Sequence, residues 1–341
     1  MTRNVSVTAP VRVADLGGWT DTWFAGHGAV CHVAMCPGVT VRLSSRRADA
    51  GPRLAIDVVD FGERYELPDG GAFRQRHALL AAAIDAAPLA PDRSCHLSLS
   101  SSVPPGASLG TSAAVVVAVL AAFDAMAGVF VEPPILVARA HAVEVRSLGR
   151  QSGVQDQIAA VNGGINFVEI LQYPETRVEG LILAEPIRHA LDGRLLVVYL
   201  GQGHDSSAIH DEVIASIGRD AARRRALDVL RALARLGRKA LLAGDLDEYG
   251  RILPANCAQQ MALHASLVNE VAAGVIDVAR SQGACGWKVN GAGGDGGSVT
   301  LLCGQSPDAR ALLARRIEAD IPGARVLPLR LSATGVTVRV E

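Results

Sequence analysis

Lysine is almost missing from this 341-residue sequence: Lys239 and Lys288 are the only two, and the rest of its 33 basic residues are arginine. Such a bias reflects genome composition more often than function, yet it makes Lys288 a position to watch. No block of like charge occurs and the formal net charge is −1, which offers no argument for nucleic acid or an anionic membrane surface as a partner. The densest basic run, Arg223, Arg224 and Arg225 with Arg219, Arg231, Arg235 and Arg238 at helical spacing, reads as a solvated helix face. Also missing are a CxxC pair and a zinc-spaced histidine for any of the six cysteines, Cys31, Cys36, Cys95, Cys257, Cys285 and Cys303. They read as reduced, buried thiols. The opening stretch MTRNVSVTAPVRVADLGG has no apolar signal core, and the apolar run 113–127 is too short and too well capped to span a membrane. A cytoplasmic protein without a membrane partner is expected.

What is present is the make-up of a folded protein, with 49% apolar and 20% charged residues in a length that suits about two domains. Period-two alternation predicts early strands in VRVADL, AVCHVAM, GVTVRLSS, RLAIDVVD and ERYEL. Helical runs follow in HALLAAAIDAA, at 113–127 and in PPILVARAHAVEVRSLG, and short strands return at GGINFVEIL and VEGLILAEPI. A second unit opens with LLVVYLG, runs through helices over 221–244 and 262–281, and closes on VTLLCG, ARVLPLRL and GVTVRVE. Neither an internal repeat nor a low-complexity linker separates the two. Strands first and helices later predict an α+β architecture instead of regular βαβ alternation, with one domain over 1–190 and a second over 191–341.

Four stretches carry chemistry. In PVRVADLGGWTDT a glycine pair separates Arg12, on a strand, from Asp21. The pattern suits a strand and an Asx-stabilised bend, and equally a guanidinium and a carboxylate meeting a phosphate donor and a polyhydroxylated ligand. In PPGASLGTSAA, glycines and small hydroxylated residues run straight into an apolar helix. One reading is a well-capped turn; the other is an anion site, where free N–H groups at a helix N-terminus face a ligand. In HAVEVRSLGRQSGVQDQIAAVNGG, Glu144 ends an apolar helix and Asp156 follows a glycine turn. No single continuous helix can face them together, whereas a turn over 149–153 can fold both toward one cleft. Taken singly, Glu144 suits a helix surface and Asp156 a helix cap. In KVNGAGGDGGSVTLL, Gly291, Gly293 and Gly296 satisfy GxGxxG, but they open into the β-rich SVTLL. With no helix there to receive a pyrophosphate, the stretch predicts a Gly-rich hairpin that admits a close backbone or ligand.

Together these stretches resemble the GHMP kinase superfamily, the family of galactokinase, homoserine kinase, mevalonate kinase and phosphomevalonate kinase, in order along nearly the whole chain. APVRVADLGGWTD is similar to the family's first motif, PPGASLGTSAA to its phosphate loop PxxxGLGSSAA, and KVNGAGGDGG to its C-terminal glycine motif. SGVQDQ resembles the GIMDQ stretch of galactokinases. The resemblance implies a ribosomal protein S5 domain 2-like N-terminal lobe, a ferredoxin-like C-terminal lobe, and a reaction using ATP and Mg²⁺. It implies that Pro105, Gly106, Ala107, Ser108, Leu109, Gly110, Thr111 and Ser112 surround the triphosphate, and that no Walker lysine is needed there. Ser112 and Glu144 would hold Mg²⁺, and Asp156 would act as general base with Arg12 beside it. At the sugar the family's motifs put Asp21 with Gly18, Thr20 and Gln155. Further substrate contacts are implied for Gly291, Gly293 and Gly294, and for His204 in VVYLGQGHDSSAIHDEV, where the resemblance implies that Asp205, Ser206 and Ser207 would also line the cleft.

Within the superfamily, GGWTDT with GHGAVCHVAM, and QDQIAAVNGGINFVEI, resemble the heptose and fucose kinases of bacterial surface-sugar pathways, which phosphorylate an anomeric hydroxyl. The implied product is a sugar 1-phosphate. D-glycero-D-manno-heptose 7-phosphate is the first acceptor, and L-fucose or another unphosphorylated sugar is the alternative. A 7-phosphate calls for a further cation, for which Arg150 and Lys288 are the candidates. Two residues depart from the heptose pattern: Trp19, which is glycine in many heptose kinases and tryptophan in fucokinases, and Asp295, a charge inside the glycine run. The rivals are a nucleotide or sugar sensor and a decarboxylase of the mevalonate diphosphate type. Ser112, Glu144 and Asp156 speak against the first, and the polyol-suited GGWTD and QDQ against the second. The expected partner is a small sugar or sugar phosphate and not nucleic acid, with the chain a monomer or homodimer.

Overall fold

The computed structural model describes residues 3–47, 52–67, 71–88, 93–201, 206–217, 220–291, 293–294 and 296–341. The first half of the chain forms β1 (Arg3–Leu16), β2 (Gly28–Arg47), β3 (Leu54–Val58), β4 (Glu63–Leu67), α1 (Ala72–Arg76), α2 (Ala78–Asp85), β5 (Arg93–Ser101), α3 (Thr111–Ala127), α4 (Pro133–Ala142), α5 (Gln155–Asn162), β6 (Ile165–Gln172) and β7 (Glu175–Gly180). After α6 (Glu185–Arg194) come β8 (Leu195–Tyr199), α7 (Ser206–Ile217), α8 (Ala221–Ala243), α9 (Leu246–Leu263) and α10 (Glu270–Ser281). The chain closes with β9 (Gly286–Val289), β10 (Ser298–Leu302), α11 (Ala309–Asp320), β11 (Arg325–Leu327), β12 (Arg330–Leu331) and β13 (Thr337–Val340).

Two sheets organise these elements. The larger runs β13-β1-β2-β5-β3-β4, with β6 and β12 also on β2 and β7 on β6. The two strands expected at AVCHVAM and GVTVRLSS are one long strand, β2. Its register against β1 slips between Ala9 and Val11, which lets its first half pair with β6 and its second with β5. The smaller sheet, β11-β8-β10-β9, is antiparallel throughout. In chain order its strands lie 4-1-3-2, the ferredoxin-like arrangement. The α+β architecture is therefore present in both halves. After the smaller sheet the chain crosses back, and β12 and β13 pair with β2 and β1. Residues 330–340 thus complete the first sheet although they follow the boundary expected at 190.

Helix α3 fixes the site. Apart from Asp124, which pairs with Arg139 at 2.7 Å, its body is apolar on every side, as suits a helix with no solvated face, and Val116, Val117, Val119, Leu120 and Phe123 are fully buried. Each such side chain stabilises the packed state by about 1.5–3 kcal/mol, so the start of α3 is held rigidly. Other elements differ from expectation. Helix α9 runs through Pro254, which reads as a helix breaker in sequence, and α11 is not anticipated. Helix α10 begins later than expected because Asn269 caps it, accepting from Ala272 N at 2.7 Å. VEGLILAEPI is split, its first part ending β7 and its last residues, Glu185 to Ile187, opening α6 with Pro186 in the first turn. The basic face of α8 is not solvated at Arg231, which is 7% exposed and donates to the carbonyls of Ala25 and His27, each at 3.0 Å. All six cysteines are free thiols, Cys36 and Cys285 only partly buried. Among the described residues no helix is long and apolar enough to cross a membrane.

Candidate active site

The loop joining β5 to α3 is shaped by its backbone. Gly106, Ser108 and Gly110 have positive φ angles of 71°, 59° and 72°. Three successive carbonyls between them are pinned: Ala107 O accepts from Ser298 Oγ at 2.7 Å, Ser108 O from Arg12 Nη1 at 2.5 Å, and Leu109 O from Arg12 N at 2.9 Å. A planar trans peptide points its N–H away from its carbonyl, so the N–H groups of Ser108, Leu109 and Gly110 point away from these anchors. Among the described residues nothing accepts from them. The buried hydroxyl oxygen of Thr111 is also without a partner. Unpaired donors in alternating left-handed turns, at the start of a buried helix, form an anion-binding concavity. The whole segment from Pro105 to Ser112 lines a cavity of 730 Å³.

Asp156, in the first turn of α5, lies against this loop. A Cβ on Gly110 would stand 3.0 Å from its Cγ, so glycine there permits the approach. Arg12 grips both carboxylate oxygens with one edge of its guanidinium, Nε to Oδ1 at 2.7 Å and Nη2 to Oδ2 at 3.3 Å. Burial works against the arginine's charge, but Asp156, Asp15 and Asp21 outweigh it and hold the group above its usual range. Asp21 accepts from Gln155 N at 3.1 Å and from Gln155 Nε2 at 3.4 Å. Burial first, and the charge of Asp156 second, push Asp21 up to about 6. The opposite carbonyl oxygen of Gln155, Oε1, is buried without a partner, so the pair of side chains offers both an acceptor and a proton-binding carboxyl to a hydroxylated ligand.

Past α4 the helix widens into a π-helical turn over Val143–Ser147, which turns Glu144 inward. Its Oε2 accepts from Ser152 Oγ at 2.8 Å and Gln157 Nε2 at 2.6 Å, and the Ser112 hydroxyl lies close enough to favour the same carboxylate's charge. Burial raises the Glu144 carboxyl in spite of the Ser152 hydrogen bond and the nearby Ser112 hydroxyl, the condition a bound cation would relieve. One hydroxyl and one carboxylate at the phosphate loop are hard oxygen donors of the kind Mg²⁺ takes. With the unpartnered Thr111 oxygen and the free loop N–H groups, the residues fit a magnesium-bound triphosphate. The turn over 149–153 is held by Tyr173, whose hydroxyl donates to Ser152 O at 3.0 Å. It brings Glu144 and Asp156 into one cavity. A Cβ on Gly153 would stand 2.0 Å from Asp21 Oδ2, so this turn also closes over Asp21.

The expected residues fall into three groups. Arg12, Asp21, Glu144, Arg150, Gln155, Asp156, Gly291 and the loop from Pro105 to Ser112 all line the cavity. Gly18, Thr20, Lys288, Gly293 and Gly294 do not, and each has a structural engagement. Thr20 Oγ1 donates within its own turn, to Gly17 O at 2.8 Å, and Gly18 packs on Asp15. Gly293 lies against the backbone of Leu267, and Gly294 O accepts from Asn269. Lys288 is 0% exposed and paired with Asp15 at 3.2 Å, which removes it as a cation for a substrate phosphate. His204, with Asp205 and Asp295, lies outside the described residues. The glycine stretch 291–297 joins antiparallel β9 and β10, the hairpin expected. Sequence reasoning missed the cavity's apolar end, Val58, Phe61, Leu79, Leu99, Val103 and Val115, since these come from separate elements with no common motif. It also missed Asp15, whose carboxylate takes Lys288 and Gly291 N and whose only signal was a position two residues before the glycine pair.

Comparison with known proteins places this geometry. The family described as GHMP kinases N terminal domain matches residues 76–164, and GHMP kinases C terminal matches residues 238–322. The bifunctional fucokinase/GDP-fucose pyrophosphorylase of Arabidopsis thaliana is 28% identical over 340 residues, 94% of this chain and 32% of that protein. The D-glycero-alpha-D-manno-heptose 7-phosphate kinase of Campylobacter jejuni is 26% identical over 196 residues, 58% of each. The chain therefore covers less than two thirds of either relative's length. In fold it is similar to a D-glycero-D-manno-heptose 1-phosphate kinase from Bacteroides thetaiotaomicron, with a TM-score of 0.73, 22% identity and 99% of each chain covered. With both family regions matched in order along one chain, the protein belongs to the GHMP kinase superfamily.

Proposed function

We propose that the protein is an ATP-dependent sugar kinase that transfers the γ-phosphoryl group to an anomeric hydroxyl. The observation that carries this reading is the Asp156 carboxylate, gripped by Arg12 and set against Gly110 at the start of α3. In this reading the apolar end of the cavity takes the base, and the loop N–H groups hold the triphosphate. Ser112 and Glu144 would hold Mg²⁺, which would supply charge that neutralises the triphosphate. Asp21 and Gln155 orient the acceptor's hydroxyls. The anomeric oxygen forms a bond to phosphorus as its proton passes to a carboxylate oxygen of Asp156, and the bond to the ADP oxygen breaks. Arg12 aligns the Asp156 carboxylate, holds the loop through Ser108 O, and faces the charge that develops on the moving group. Positioning and electrostatics supply most of the rate in such a transfer.

D-glycero-D-manno-heptose 7-phosphate is the acceptor we place first, with Arg150 as its phosphate contact. Arg150 lines the cavity, whereas Arg12 and Arg76 there are already paired. A second reading, L-fucose or another unphosphorylated sugar, is favoured by Trp19, whose buried indole lines the same cavity, and by the removal of Lys288 from it. The test is ADP release from Mg-ATP with a panel of hexoses, heptoses and heptose 7-phosphates. Turnover restricted to 7-phosphates and weakened in Arg150→Gln supports the first acceptor, and turnover of neutral sugars the second. No ADP release with any of them would overturn the kinase reading in favour of a nucleotide or sugar sensor.

A further inference from the structure

His32 lies mid-strand in β2, 0% exposed, and neither Nδ1 nor Nε2 has a hydrogen-bond partner. Strand register fixes where the ring points. Arg12 pairs with Ala34, two residues along β2 from His32, so Arg12 and His32 lie on one face of the sheet. On that face the next residue along, Val30, packs against Val154 and Ile158, the latter on the helix whose first turn carries Asp156. Opposite His32 the register slips between Val13 and Leu16, and Ala14 takes a left-handed φ of 52°. The bulge and the imidazole therefore sit beside Arg12, on the side of the sheet that α5 covers.

An imidazole buried with both nitrogens unpaired forfeits their hydration, and an apolar side chain would hold sheet and helix together better. Burial first, and the charge of Arg12 next, push the ring down to about 3. It is thus neutral, with one N–H donor and one acceptor nitrogen. Arg12 has the complementary surplus. Of the five N–H groups of a guanidinium, two go to Asp156 and one to Ser108 O, which leaves two donors on a buried side chain. A water can accept from a guanidinium and donate to an imidazole nitrogen, and buried waters take two to four such bonds.

We propose that His32 is a positioning residue for the Arg12–Asp156 pair, steadying the guanidinium through a buried water on the sheet face they share. This rests on the reading of that pair as the transfer centre. The ring's polarity then serves activity at a cost in stability, and the two can be separated by experiment. In His32→Leu the melting temperature should stay level or rise, while kcat falls about tenfold or more with KM for ATP within about twofold. His32→Asn, which keeps polar atoms at the position, should restore part of kcat. A lowered melting temperature with wild-type kcat would make the ring purely structural and overturn the proposal. A second measurement needs no acceptor. In ring-¹⁵N-labelled protein, His32 resonances, assigned by their loss in His32→Leu, should shift in Asp156→Asn. Unshifted resonances overturn the coupling whether or not a sugar is phosphorylated, and shifted resonances without sugar turnover count against the proposed function alone.

Discussion

Replacing Asp156 by asparagine keeps the side chain's shape while removing its charge and its ability to take a proton. The amide oxygen can still accept from Arg12 Nε, now held at 2.7 Å, but the amide nitrogen meets the Nη2 donor that Oδ2 accepts at 3.3 Å. Breaking a fully buried ion pair costs about 3–5 kcal/mol. Here the arginine side chain is 5% exposed and the aspartate 24%, so solvent screening and the retained hydrogen bond bring the expected loss to about 1–3 kcal/mol. For a protein of this size that corresponds to about 2–4 °C in melting temperature per kcal/mol. Turnover should suffer far more, by about 10²–10⁴-fold, because general-base function is lost with the alignment it provides. ATP affinity should remain within about threefold, since Ser298 and the Arg12 backbone still pin the loop. A coupled ADP assay gives kcat, titration calorimetry the nucleotide affinity, and a thermal melt the stability. A kcat within about threefold of wild type would refute the assignment of Asp156 as the base.

Gly110→Ala should lower kcat by about tenfold or more and cost about 1–3 kcal/mol of stability, because the new methyl enters a left-handed position and presses on Asp156; full activity would mean that the close approach is incidental. Asp21 is raised from 3.8 to about 6, so the native state binds its proton more tightly than the unfolded chain does. Its stabilising contribution is therefore complete below the unfolded pKa and lost as pH rises through 6, a fall of about 3 kcal/mol. The stability of Asp21→Asn relative to wild type should accordingly increase between about pH 4 and 7 in denaturant melts, and a constant difference would contradict the shift. Lys288→Met leaves the Asp15 carboxylate buried with only Arg12 nearby and should cost about 3–5 kcal/mol in the same melts. The ratio of kcat/KM for phosphorylated over neutral acceptors should not change, and a changed ratio would return Lys288 to the substrate.

Local patterns carried the phosphate site into the sequence. Glycines and hydroxylated residues running into an all-apolar helix mark the segment from Pro105 to Ser112, because its donors come from consecutive backbone groups. The pairing of Arg12 with Asp156 was accessible only through the family resemblance, since strand register and helix packing, not spacing, bring together residues so distant in the chain. Thr20 and Gly18 lie inside a recognisable motif yet turn into the fold, as motif membership does not say which way a side chain faces. Lys288 stood out as rare, but the bulge at Ala14 that offers it Asp15 has no local signature. The apolar end of the cavity was out of reach for a related reason: Val58, Leu79, Leu99 and Val115 each read as ordinary core residues, and only the tertiary fold makes them a wall. Helix α9 lies between the helices expected over 221–244 and 262–281, and its internal Pro254 works against any local helical signal.

The account is tested most directly by ³¹P NMR of the protein with Mg-ATP and the acceptor panel. It predicts loss of the γ-phosphate signal, appearance of ADP, and a new sugar phosphate resonance coupled to the anomeric proton, all slowed by about 10²–10⁴-fold in Asp156→Asn. A phosphate on any other sugar carbon, or ADP appearing with inorganic phosphate alone, would contradict it.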